Sequence, residues 1–240
     1  MKFLSLALAV GLGLGLPAAA QLPPFMRGFV NGPPPDPDPH HLRGVYVGGV
    51  PGQLPPLKDR TLYNAAALTL LDARVSAMNA GLDRKDPQTY CRTGGPVRFA
   101  AGGFPLRFIT TKGQITIIAE EDHVVRRIVL DQPHPAHITP SIIGDSVGHW
   151  DGNTLLVDTI GFKNGGWMDE AGSPSSSKLH LSERITKTDG GKEIDDAITI
   201  DDPVYYKKPF VYLHKYFYVP GATWDEMICE ENNRDAGISR

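Results

Sequence analysis

An Asp-Gly pair, Asp151-Gly152, stands between a segment ending in Trp150 and the aliphatic run from Thr154 to Ile160. Glycine takes positive φ without steric penalty, so this dipeptide between two strand-like stretches specifies a tight hairpin, and a hairpin makes its strands antiparallel. In the run that follows, Leu156, Asp158 and Ile160 share one face by the two-residue strand period. A carboxylate on an otherwise aliphatic face is paired, solvated in a cavity or chemically engaged.

The same period recurs to the end of the chain. Leu106 to Thr110, Gln114 to Glu120, Val124 to Leu130, Leu179 to Lys187, Glu193 to Ile200, Phe210 to Val219 and Thr223 to Cys229 all read as strands. Lys112-Gly113 and Asp189-Gly190-Gly191 are short enough to join antiparallel neighbours. A series of about eight such strands must hide its edges, and closure is the commonest solution. The predicted fold is mainly β, a lipocalin-like antiparallel barrel or strongly curved half-barrel with one N-terminal helix packed alongside. That helix is read over Asp59 to Ala80, where Leu62, Ala66, Ala73 and Ala77 recur at helical spacing, Asp59 or Thr61 can cap the start and Gly81 can end it.

Residues 1–20 read as a secretory leader: Lys2 precedes an apolar run from Phe3 to Leu16, and Ala18-Ala19-Ala20 supplies small residues before Gln21. Residues 21–56 are rich in proline and glycine and read as an extended arm. Residues 57–240 form the helix plus β domain. Export to the periplasm or beyond makes a Cys91–Cys229 bridge the expected state of the two cysteines, with free thiols as the alternative. The 240 residues carry 24 Lys and Arg against 27 Asp and Glu, a formal charge of −3. That balance gives no reason to expect nucleic acid or an anionic membrane as partner, and nothing after the leader approaches the roughly 20 apolar residues of a spanning helix. A small-molecule ligand is the expected partner, and a homo-oligomer stays open.

From the helix onward the chain resembles a widespread, largely uncharacterised family of secreted bacterial β-rich proteins. The motifs are Asp86-Pro87 before Cys91, Arg126-Arg127-Ile128 leading to Asp131 and His134-Pro135, Gly148-His149-Trp150-Asp151-Gly152-Asn153-Thr154-Leu155 through Asp158-Thr159, Leu179-His180 with Glu183-Arg184, Asp202-Pro203 before Lys208-Pro209, and Cys229-Glu230-Glu231-Asn232. The resemblance implies export and a shared β-rich fold, and no particular reaction. The chain departs from the family at Ser173-Pro174-Ser175-Ser176-Ser177, where a histidine is usual, and at Gln132-Pro133, where Gly-Arg is usual.

Glu183 shares a strand face with Leu179, Leu181 and Ile185, while His180, Ser182 and Arg184 take the other. Burial disfavours the ionised carboxylate and moves it toward the range of a general acid or base; the alternative is an ion pair with Arg126 or Arg127 across the barrel. Asp158 repeats the pattern on its own strand, so the two carboxylates are predicted to face one lumen, unless Asp158 merely bonds its local loop. His134, in a proline-bounded loop, is the predicted assisting base at the barrel mouth. Arg127 is the predicted oxyanion or carboxylate holder. Trp150, His180, Tyr212 and Tyr216 are the predicted ligand contacts, with Tyr212, His214, Tyr216 and Tyr218 on one strand face.

The histidines have no zinc-ligand spacing, so no metal is expected. Without a phosphate-binding glycine loop, dinucleotide fingerprint or Cys-x-x-Cys pair, no cofactor is expected either. Gly144-Asp145-Ser146-Val147-Gly148 has the letters of a nucleophile elbow, but a hairpin follows where a hydrolase needs a helix. Two function classes remain: an exported acid-base enzyme (elimination, isomerisation or hydrolysis) acting on a small, mostly neutral molecule, or a carrier with the same pocket and no turnover.

Overall fold

The computed structural model describes residues 32–48, 55–83, 85–121, 124–222 and 229. The predicted leader, the predicted strand from Thr223 and the motif after Cys229 lie outside them. Strand β1 (Gly44–Gly48) precedes helix α1 (Ala65–Asn79) and the short helix α2 (Pro96–Ala101). Then come β2 (Pro105–Thr111), β3 (Gln114–Ala119), β4 (Val125–Leu130), β5 (Asp145–Asp151) and β6 (Thr154–Ile160). A two-residue pair, β7 (Gly166–Trp167) and β8 (Pro174–Ser175), stands apart from β9 (His180–Thr188), β10 (Glu193–Asp201) and β11 (Phe210–Tyr218). Nine strands close in the order β1-β11-β10-β9-β6-β5-β4-β3-β2, so the sheet has no free edge.

Two features differ from the sequence expectation. Residues 44–48 lie in the stretch read as an arm, yet they pair with both β11 and β2 and are the strand that closes the barrel. The proline-rich flanks hid a five-residue strand. Second, β4 and β5 are parallel. A parallel pair cannot be joined by a hairpin, so the chain between Leu130 and Asp145 crosses over outside the wall, and His134 travels on it.

The hairpins form as read. Asp151 faces Thr154 across the β5–β6 turn, where Gly152 has φ 55. Side chains alternate through the wall: Leu155, Val157 and Thr159 are buried, while Leu156 and Asp158 stay partly exposed on the outside. Helix α1 is shorter than read, because Asn64, not Asp59 or Thr61, caps it by accepting from the Ala67 amide. Its buried residues are Ala67 and Leu71, with Leu68 and Val75 packed beside them, whereas Ala66 and Ala73 face solvent. Asp59 instead caps the 3-10 turn at Arg60–Leu62.

The ends of the barrel are filled differently. At one end α1 and the segment around Trp167 join a cluster that includes Leu181, Ile198, Ile200 and Tyr212. Inside the rest, Tyr46, Phe108, Leu155, Ile185, Ile194 and Tyr216 form a second cluster. Residues 33–41 lie against this second half. Tyr218 donates to the Pro33 carbonyl, Lys187 to the Asp36, Asp38 and His41 carbonyls, and the His40 ring meets Trp150 edge-on at 4.8 Å.

Cys91 and Cys229 form a disulfide across 138 residues of sequence. The chain-entropy model assigns such a long closed loop about 4 to 5 kcal/mol before strain. Replacing both cysteines by serine is expected to cost about 2 to 5 kcal/mol, read as a lowered urea midpoint. An unchanged midpoint would show that the bridge does not constrain the unfolded chain.

Candidate functional site

On the outer face of the wall, β5, β6, β9 and β10 present a grid of side chains. Val147 stands opposite Asp158, Asp158 opposite Ser182, and Ser182 opposite Thr199. One step along, His149 faces Leu156, Leu156 faces Arg184, and Arg184 faces Ala197. The crossover covers part of this grid, leaving a cleft of about 530 Å³ whose lining includes Asp131, Gln132, His149, Asp158, Ser182 and Arg184.

Asp158 is the junction of a four-residue chain. Its Oδ1 accepts from His180 Nε2 at 2.5 Å, and its Oδ2 lies 2.9 Å from His134 Nε2. The other nitrogen of His134, Nδ1, lies 2.6 Å from Asp145 Oδ1. A neutral imidazole has one donor and one acceptor, whereas a carboxylate only accepts. With a carboxylate on each nitrogen, His134 satisfies both only as imidazolium. Partial burial opposes that charge, but the bonds to Asp145 and Asp158 outweigh it and raise His134 above its ordinary value. Asp158 shows the converse: burial pushes it up, and the two imidazoles hold it below the usual carboxylate range.

Because the His134 pKa is raised, its ion pairs stabilise the fold fully below the unfolded histidine value and lose that contribution as pH rises through the folded value. Carbon-13 titration of the imidazoles is expected to show His134 deprotonating above an ordinary histidine, and Asp158→Asn to move it downward. A normal midpoint unaffected by Asp158→Asn would refute the assignment.

His180 differs from His134. Its Nε2 donates to Asp158, leaving Nδ1 as the acceptor, which has no hydrogen-bond partner among the described residues. Both His180 and Asp158 are 44 % exposed, so solutes reach this dyad. A carboxylate that fixes the tautomer of an accessible imidazole is the arrangement used to orient a general base. Among the described residues, no three His, Cys, Asp or Glu side chains are grouped as a metal-ligand set.

The barrel interior holds a second polar cluster. Glu183, Asp196 and His214 lie between the two apolar clusters on β9, β10 and β11. Arg126 donates through Nη1 to Glu183 Oε1 at 2.9 Å and through Nη2 to Glu183 Oε2, and it also donates to Thr159 and Ser146. Asp196 stands beside Glu183 and Tyr216 and opposite His214. Burial, then the negative charge of Glu183, hold Asp196 well above the usual carboxylate range despite Arg126. Burial lowers His214 to about 4, so it is neutral, with Nδ1 bonded to the Tyr212 hydroxyl at 2.7 Å.

The structure therefore separates the predicted site residues. Asp158, His134 and His180 come together, but on the outer wall and not at the barrel mouth. Glu183 faces the interior, so the common lumen predicted for it and Asp158 does not form; its partner is Arg126, one of the two arginines considered. Two inward carboxylates do exist, the second being Asp196. Arg127 is exposed on the outer face of β4, apart from Glu183. Tyr212 and Tyr216 point inward as read, but they pack in the two core clusters. Trp150 packs against His40, away from the dyad. Ser146 is buried on strand β5 against Arg126 and Thr159, which is no place for a nucleophile. The Ser173 to Ser177 turn is held by Asp169 and Asp202, which bond Ser173 and Ser176.

Asp145, Asp196 and Arg184 were not singled out from sequence. Asp196 was within reach, since it alternates with Ile194, Ile198 and Ile200 as Glu183 does with its neighbours. Asp145 joins the site only through the crossover, which period-two reading cannot supply. No protein-family model matches the chain, and no curated protein does so significantly.

Proposed function

We propose that the chain is an exported acid-base enzyme acting on a small polar molecule in the outer cleft. His180 is the proton carrier, Asp158 its orienting carboxylate, and His134 the imidazolium that holds Asp158 and Asp145 in place. The single observation that carries this reading is that Asp158, a residue of the cleft wall, bridges two histidines, with an acceptor nitrogen of the exposed His180 left open. The disulfide fits an oxidising compartment, and among the described residues no helix is long and apolar enough to cross a membrane. The motif resemblance adds export and leaves the reaction open.

In this mechanism His180 Nδ1 takes a proton from the substrate or from a water aimed at it. The imidazolium formed is stabilised by Asp158 and returns the proton to the leaving or rearranged atom. Correctly placed general bases contribute about 10²- to 10⁴-fold. His180→Gln and Asp158→Asn are therefore expected to lower turnover by that order, His180→Gln with thermal stability retained and Asp158→Asn with the fold intact but without the contribution of the His134–Asp158 ion pair. The assay is proton NMR of the protein incubated with a panel of small esters, lactones, hydroxy acids and hydroxylated neutrals. Binding of panel members without conversion by the unmodified protein would favour the carrier instead.

A further inference from the structure

We infer that Arg184 is the anchor for a single carboxylate on the molecule bound in the outer cleft; this rests on the cleft being a ligand site, as proposed above. Arg184 lies on the cleft wall, on the same outer face of β9 as His180 and Ser182. Its direct cross-strand neighbours are Leu156 on β6 and Ala197 on β10, and neither can neutralise a guanidinium. Two carboxylates are diagonally placed by register: Asp158 on β6, whose oxygens are both engaged by His134 and His180, and Asp195 on β10, which pairs with Lys215 at 2.8 Å. Arg184 consequently makes no hydrogen bond or ion pair among the described residues. The other arginine of comparable interest, Arg126, is buried and spent on Glu183.

A guanidinium presents its donors in a planar fork that fits a carboxylate through two parallel bonds. Arg184 is the one guanidinium in the cleft lining, and Asp158, the lining acid diagonal to it, is already offset by the His134 imidazolium. A single fork matches one carboxylate, while Asp131 and Asp158 disfavour a dianion such as phosphate. The rest of the lining fits the remainder of such a molecule: Val147 and Leu156 offer apolar floor, while Gln132, Ser182 and Thr199 offer hydrogen bonds. A carboxylate seated on Arg184 lies two residues along β9 from Ser182 and four from His180. The reactive atom of a short-chain acid thus extends along the strand toward the dyad. This revises the neutral ligand expected from net charge alone, because the net charge says nothing about one unpaired arginine in one cleft.

The test uses the full chain labelled with nitrogen-15 and titrated with hydroxycarboxylates of three to six carbons, their primary amides, and inorganic phosphate. The carboxylates are expected to shift the Arg184 Nε resonance together with the amides of Ser182 and Thr199. The matching primary amides are expected to bind at least tenfold more weakly. Arg184→Gln is expected to remove that preference and Arg184→Lys to keep part of it. Equal binding of acids and amides, stronger binding of phosphate, or carboxylate binding unchanged in Arg184→Gln would each overturn the inference. Carboxylates that bind at Arg184 without ever being converted would leave it standing while ending the enzyme reading. Conversion of uncharged compounds that Arg184→Gln does not alter would do the reverse.

Discussion

Arg126→Met is expected to be the most damaging single substitution in the barrel wall, costing about 3 to 5 kcal/mol. Among the described residues the guanidinium is the only cation bonded to Glu183, and the two are buried at 3 % and 4 % exposure. Removing it leaves a buried carboxylate without its counter-charge, beside an Asp196 whose ionisation burial already opposes. Ser146 and Thr159 lose their donor as well, although they keep each other at 2.9 Å. Against the 5 to 15 kcal/mol that holds a typical domain, that loss removes a large share of the stability margin. Urea denaturation measures it as a lowered midpoint. The double variant Arg126→Met with Glu183→Leu is expected to recover much of the loss, since an apolar replacement of a buried pair is often neutral or better. A single variant within about 1 kcal/mol of the parent would mean that water reaches Glu183 and that its ion pair with Arg126 is not closed off from solvent.

The sequence reading was most reliable where one rule governs the outcome locally. The two-residue period found seven of the nine barrel strands and placed Glu183, Tyr212 and His214 on inward faces, because neighbouring side chains of one strand have no other choice. The disulfide followed from compartment chemistry. What the period cannot say is which of its two faces is the inside. For Glu183 the aliphatic neighbours decided correctly. For Asp158 the same evidence misled, because Leu156 and Ile160 are outer-wall residues half covered by the crossover, and the fully buried face carries Leu155, Val157 and Thr159. Both faces of β6 are apolar because both are covered, one by the core and one by residues 131–144.

That crossover is also why the candidate site was only partly legible. His134, Asp145, Asp158 and His180 sit on a loop and three strands, and their meeting depends on β4 and β5 running parallel. A hairpin at that point would have left His134 at the end of the barrel, where the sequence placed it. The choice of parallel pairing rests on contacts between elements rather than on any residue in the loop. Arg184 was passed over for a different reason: an outward arginine on a strand is ordinary, and only its apolar neighbours and the cleft around it give it a role.

Asp196→Asn is expected to make the protein more stable at pH 8 and to reverse part of its pH dependence. The folded-state pKa of Asp196 is raised well above its ordinary value, by burial first and by Glu183 second. The folded state therefore keeps a proton that the unfolded chain releases above about pH 4. Stability from this group is fully present below the unfolded value and is lost as pH rises toward the folded one. The slope approaches about 1.4 kcal/mol per pH unit within that window. Asparagine presents a neutral group of the same shape, with an N–H to donate toward Glu183, and needs no proton from solution. The contribution of Asp158, whose lowered pKa works in the opposite sense, and that of His134 are the same in both proteins. They cancel in the difference between variant and parent. That difference, taken from urea midpoints from about pH 4 upward, is expected to grow in favour of the variant until the folded-state value of Asp196 is passed. Two parallel curves would mean that Asp196 is ionised in the folded protein. Arg126 would then be serving two carboxylates at once, and the charge balance of the barrel interior would be −1 instead of zero.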